Sequence, residues 1–114
     1  MKYMLLMYAS QMEEPSAPED QQAVQDTWMK LLQEMSAAGV LESTGGLPAG
    51  TATTIRVRDG KTLITDGPFI ETHEQLGGYF LLNCENLDEA IAWAAKIPFA
   101  HDGAIEIRPL WAPD

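Results

Sequence analysis

A chain of 114 residues is the size of one domain, and its 46% hydrophobic content, with three Trp, three Tyr and three Phe, supplies a core and excludes a disordered chain. Seven Lys and Arg against seventeen Asp and Glu leave a formal charge of −10. With those cations scattered, this balance excludes a nucleic-acid binder and disfavours an anionic membrane as partner.

The first predicted element is a strand over residues 2–9. Tyr3, Leu5 and Met7 on one side, and Met4, Leu6 and Tyr8 on the other, are all apolar or aromatic, so the strand should be buried on both faces. The apolar start is too short for a signal peptide, no small-residue cleavage site follows, and no stretch is long enough to span a membrane. A cytoplasmic location is therefore expected. Residues 11–20 are polar and acidic, with Pro15 and Pro18, and read as a loop and candidate lid. Ser16, with Glu19 three residues on and Pro18 between, marks a helix start. Val24, Trp28, Leu31, Leu32 and Met35 then recur at helical spacing up to a stop at Gly39.

A short strand near Val40 and Leu41 runs to Gly45-Gly46. Residues 53–65 form a hairpin about Asp59-Gly60, whose two-residue loop would pair Arg58 with Lys61, Val57 with Thr62 and Ile55 with Ile64. One face then carries Ile55, Val57, Thr62 and Ile64; the other, largely in water, carries Arg56, Arg58, Lys61 and Leu63. Asp66-Gly67-Pro68 is turn chemistry, Thr72 with Gln75 fits a single helical turn, and Gly77-Gly78 lets the backbone pass close to another element.

Residues 79–84 form another strand apolar on both faces except at Asn83, and Cys84 at its end reads as a small core hydrophobe that cannot form an intrachain disulfide. Asn86 caps a second helix running to about Lys96, with Glu89 at the capping-box position and Leu87, Ala90, Ile91 and Ala94 as its packing face. Pro98 stops it, residues 99–103 form a loop, and residues 104–110 form the last strand, with Ile105 and Ile107 facing one way and Glu106 and Arg108 the other. The order β-α-β, hairpin, β-α-β is that of an α+β, ferredoxin-like split βαβ in one domain over residues 1–114. The first and third principal strands lie centrally in such a sheet. Two helices cover only one sheet face, so a second copy is expected to cover the other, giving a homodimer.

Asp66-Gly67-Pro68-Phe69, followed by Glu71-Thr72, Glu74-Gln75-Leu76-Gly77-Gly78, then Leu87-Asp88-Glu89-Ala90, Trp93-Ala94-Ala95 and Ile105-Glu106-Ile107-Arg108-Pro109, resembles the DGPF-domain branch of the YCII-like proteins. The resemblance covers most of the chain and implies a dimeric α+β barrel. It also implies a link to sigma factors of the extracytoplasmic-function class. His73 stands where that motif usually carries Lys. In other YCII-like proteins a first-helix histidine paired with an Asp is the proposed dyad, but Trp28 occupies the corresponding position, so the dyad does not carry over.

Two function classes remain. One is a small-molecule-binding or regulatory module. The other is a cofactor-free enzyme of isomerase, lyase or monooxygenase type, with Asp66 as acid–base group assisted by Glu71 or His73. In the enzyme reading the pocket is expected between the first helix and the sheet, walled by Trp28, Tyr8 and Tyr79, which with Arg108 are the candidate ligand-binding residues. Each candidate also has a plain structural reading: Asp66 as a turn residue, His73 as a solvated loop residue, His101 as a surface turn, Trp28 as core. Arg108 reads either as an anchor for a ligand carboxylate or as one half of an ion pair with a neighbouring acid. No His pair or Cys/His spacing suits a metal, and no nucleotide-cofactor motif occurs, so neither metal nor cofactor is expected.

Overall fold

The alternation along β1 (Lys2–Ala9) sets the architecture: Tyr3, Leu5, Met7 and Ala9 are buried, while Met4, Leu6 and Tyr8 are half-buried on the other side. The structure is a computed structural model that describes residues 1–9, 17–48, 50–68 and 74–111. After β1 come α1 (Pro18–Ala37), β2 (Leu41–Gly46), β3 (Thr53–Arg58), β4 (Lys61–Asp66), β5 (Gln75–Asn83), α2 (Leu87–Ala94), α3 (Phe99–Asp102) and β6 (Ala104–Pro109). The chain is α+β. Four strands form an antiparallel sheet in the order β2-β5-β1-β6, with the two doubly apolar strands at its centre; β3 and β4 form a separate two-stranded sheet.

Pro18 at the first turn, where no backbone donor is needed, and the acids Glu19 and Asp20 near the positive helix end favour the start of α1. The expected cap at Ser16 lies outside the described residues. The position before the helix belongs to Ala17, which offers no side-chain cap; its carbonyl accepts from the backbone N–H of Asp20 and Gln21, both at 3.1 Å. At the other end Gly39, at φ 73°, donates to the Ser36 carbonyl and Val40 donates to that of Met35. This six-to-one, five-to-two pair of bonds closes a helix through a left-handed residue. Leu31 and Met35 are buried and Trp28 and Leu32 pack against them, whereas Val24, one turn earlier, is exposed.

α1 and α2 both lie on the face of β1 that carries Leu5. Leu5, Met35, Phe80, Leu82 and Ile97 are sealed there together. Each such side chain contributes roughly 1.5–3 kcal/mol by leaving water. The expected packing face of α2 is corrected. Ala90 and Ala94, followed by Ile97, turn inward, and Leu87 and Ile91 are exposed. The small alanines let this short helix lie close to the sheet, which rotates the larger residues outward. Its start is as expected: the Asn86 amide oxygen accepts from the Glu89 N–H at 2.9 Å. The Glu89 carboxylate accepts from Glu85 N–H rather than from the cap residue itself.

The helix ends at Ala94, short of Lys96, whose ammonium reaches the Glu34 carboxylate at 3.1 Å and lies 4.9 Å from the Trp93 ring centroid. Residues 99–102 form the short α3 rather than a loop, because Pro98 suits a helix start and its carbonyl accepts from His101 N–H.

Gln75 belongs to a strand, not to a helical turn. It stands opposite Ala9, so the antiparallel ladder takes up its backbone groups; Thr72 lies outside the described residues. The pairing slips between Met7 and Tyr8, leaving Gly77 without an opposite residue. At Gly78 the close approach is real: a Cβ would fall 2.6 Å from Met7 Cε and 2.8 Å from the Gly45 carbonyl oxygen.

The β3–β4 hairpin has the expected register, with Ile55 opposite Ile64, Val57 opposite Thr62 and Arg58 opposite Lys61. Asp59 and Gly60 take φ of 52° and 75°, as a type I′ turn requires. Every residue of β3 and β4 is exposed except the half-buried Thr54. The radius of gyration is 16.3 Å, against about 13 Å for a rounded chain of this length. The difference reflects a flat body, 19 Å through its shortest axis.

Candidate ligand site on the open face of the sheet

Both long helices sit on one side, so among the described residues no helix lies over the other side of the sheet. β1 places Met4, Leu6 and Tyr8 there. Register carries Leu81 and Tyr79 of β5 to the same face, opposite Met4 and Leu6. On the far side of β1, Arg108 stands opposite Met4 and Glu106 opposite Leu6. The result is an apolar and aromatic floor with a charged edge along β6.

Tyr79 is placed by a glycine. Gly45 of β2 stands directly opposite it, and a Cβ there would lie 2.8 Å from Tyr79 Cε1, so only a bare backbone lets the ring lie across β2. The Tyr79 hydroxyl then comes 3.3 Å from Ser43 Oγ, and Thr44 Oγ1 donates to the Tyr79 carbonyl at 3.0 Å. Two hydroxyls on an apolar floor can orient a ligand that has both a flat face and polar edges. Ser43 is a candidate that sequence reasoning missed. Its only signal is strand parity with Gly45, and that becomes readable once β2 is paired with β5.

Trp28 lies on the opposite side. Half-buried, it stacks on Phe80 with ring centroids 6.2 Å apart and planes 12° from parallel. Phe80 and Tyr79 are successive residues of one strand and must point to opposite faces. The expected pocket between the first helix and the sheet, walled by Trp28, Tyr8 and Tyr79, is therefore not assembled. Tyr8, Tyr79 and Arg108 share the open face, and Trp28 does not.

Arg108 lies 3.9 Å from the Glu106 carboxylate, both side chains well exposed. Asp66 ends β4 opposite Thr53, on the separate hairpin rather than on the sheet that carries Tyr8 and Tyr79. The turn beside it is built on Gly67, at φ 111°, whose N–H donates to the Ala52 carbonyl and whose carbonyl accepts from Thr54 Oγ1. His73 and Glu71 lie outside the described residues. His101 is exposed on α3 rather than on a turn. Among the described residues no group of three or more His, Cys, Asp or Glu stands together as metal ligands. No described helix is long and apolar enough to cross a membrane.

Cys84 is buried behind β5, and burial raises its thiol pKa; nearby Glu89 raises it further, against the opposing pull of the terminal ammonium. The native thiol should therefore resist alkylation at neutral pH and react only as the chain unfolds, which mass spectrometry along a urea series reads directly. The unfolded thiol ionises first, so its contribution to stability is whole below its ordinary value of 9.0 and is lost as pH rises above it.

The fold is that of a small α+β domain whose described helices cover one sheet face, and comparison with known proteins gives it a family. The profile of the YCII-related domain matches residues 1–112, and the chain belongs to that family. It is 44% identical over 66 residues to an uncharacterised protein of Rhizobium meliloti (strain 1021), a match spanning 56% of this chain and 53% of that protein. Its fold is also that of 5-chloro-2-hydroxyhydroquinone dehydrochlorinase from Burkholderia phenoliruptrix AC1100, solved in complex with 2,5-dihydroxybenzoquinone. The TM-score is 0.51 at 12% identity, covering 96% of this chain and 93% of that one.

Proposed function

We propose that this protein is a small-molecule-binding or regulatory module of the DGPF branch, acting in the cytoplasm as a homodimer. In this reading the chain is a ferredoxin-like split βαβ whose open sheet face meets that of a second copy, forming an α+β barrel with the ligand between the sheets. The observation that carries the reading is the open face itself: Met4, Leu6, Tyr8, Tyr79 and Leu81 form a floor that neither long helix covers, with the Tyr79 and Ser43 hydroxyls upon it. Soluble chains rarely leave such a face bare. Aromatic floor and paired hydroxyls together suit a small, flat, hydroxylated aromatic compound. A regulatory role beside an extracytoplasmic-function sigma factor is compatible with a site in which, among the described residues, no acid–base pair stands together.

Titration calorimetry with a panel of small hydroxylated aromatics and quinones, starting with 2,5-dihydroxybenzoquinone, tests this. Tyr79→Phe keeps the ring and removes one hydroxyl, so affinity should fall about tenfold, the value of one hydrogen bond of ~1.4 kcal/mol. Affinity unchanged by Tyr79→Phe, or no binding across the panel, contradicts the site.

The second reading is a cofactor-free enzyme of isomerase, lyase or monooxygenase type with Asp66 as acid–base group, favoured by the dehydrochlorinase that shares the fold. Asp66→Asn separates the two. It leaves ligand affinity unchanged in a binding module, whereas in the enzyme it abolishes turnover of a bound panel member.

A further inference from the structure

We infer that the β3–β4 hairpin is an arm that reaches onto a second copy of this chain and packs its apolar face on the partner's open sheet face. The inference rests on the sheet-face dimer proposed above and adds the element that closes it.

The first observation is exposure without cause in the protomer. Ile55, Val57, Leu63 and Ile64 are 62%, 58%, 49% and 67% exposed, although strand parity gathers Ile55, Val57 and Ile64 on one face of the hairpin. A lone two-stranded hairpin is at best marginally stable in water, and such a face gains by being covered. Two arms per dimer would add on the order of several hundred Å² of apolar surface, towards the ~1,200–2,000 Å² of a stable interface.

The second observation is charge. Three of the seven cations, Arg56, Arg58 and Lys61, stand on this hairpin against two carboxylates, Asp59 and Asp66, which leaves the rest of the chain at −11. A second copy is thus a strongly acidic surface for a locally cationic arm, and the arm supplies the attraction that two chains at −10 otherwise lack. Parity keeps the cations off the apolar face, so that face can meet the partner's sheet without burying charge. Because the exchange is reciprocal, it closes at two copies.

Ile55→Thr/Ile64→Thr keeps β-branched residues that suit a strand and removes the apolar face. A dilution series followed by sedimentation should show the dimer dissociation constant raised at least tenfold, with the far-UV spectrum of the protomer retained. A dissociation constant within twofold of the unsubstituted protein overturns the arm and leaves the sheet-face dimer standing; an unsubstituted protein that is itself a monomer overturns both.

Discussion

Phe80→Ala is expected to remove about 3–5 kcal/mol of folding stability, a large share of the ~5–15 kcal/mol that a domain of this kind possesses. Phe80 is 1% exposed, stands on β5 between Thr44 of β2 and Leu5 of β1, and carries Trp28 stacked above it. Truncation loses the transfer energy of the ring and leaves a cavity that its neighbours cannot fill. Leu5 and Leu82 are fixed by two strand ladders, and Trp28 by the helix. Urea unfolding followed by far-UV circular dichroism should show the loss as a lower midpoint with little change in slope. Phe80→Leu, which retains most of the volume, should cost less than half as much. Equal costs for the two variants would mean that the ring is not the keystone of this face.

Gly103→Ala should cost about 3 kcal/mol, for a reason unrelated to backbone freedom. An added Cβ would run into the Tyr8 carbonyl oxygen, with the Tyr8 carbonyl carbon and Ala9 Cα both at 3.0 Å. These are backbone atoms of β1, Tyr8 held by ladders on both sides and Ala9 by the ladder to β5, so they cannot yield as a flexible side chain would. The contact also explains why β6 begins where it does, since α3 must turn against β1 at Gly103 to bring Ala104 opposite Tyr8. Thermal unfolding should show a Tm fall of roughly 10 °C or more. Gly46→Ala is the control: nothing lies within 4 Å of its added Cβ, and its Tm should move by only a few degrees. A Gly103→Ala variant as stable as that control would show that β1 and α3 pack more loosely than described.

Much of the fold can be read from local signals that tertiary context does not overrule. Residues apolar on both sides placed β1 and β5 at the sheet centre, Asp59-Gly60 set the hairpin register, and Asn86 with Glu89 set the start of α2. The site was less legible, because a ligand face depends on parity and on which side the helices choose. Nothing local in Tyr79-Phe80 says which ring meets α1. Once Phe80 takes the helix side under Trp28, Tyr79 must take the other, and a pocket walled by both Trp28 and Tyr79 cannot exist. Ser43 was invisible for the same reason. Hydrophobicity alone places Leu87 and Ile91 inward, but a helix that approaches the sheet through Ala90 and Ala94 turns them to water. Arg108 had two readings, and its nearness to Glu106 leaves room for both, because the two charges share the open face with Tyr8 and Leu6.

The central claim is that the bare sheet face meets a second copy, and sedimentation equilibrium of the unsubstituted protein at micromolar concentration tests it most directly. The account predicts one species at twice the 12.5 kDa chain mass. A single species at the chain mass itself would contradict it.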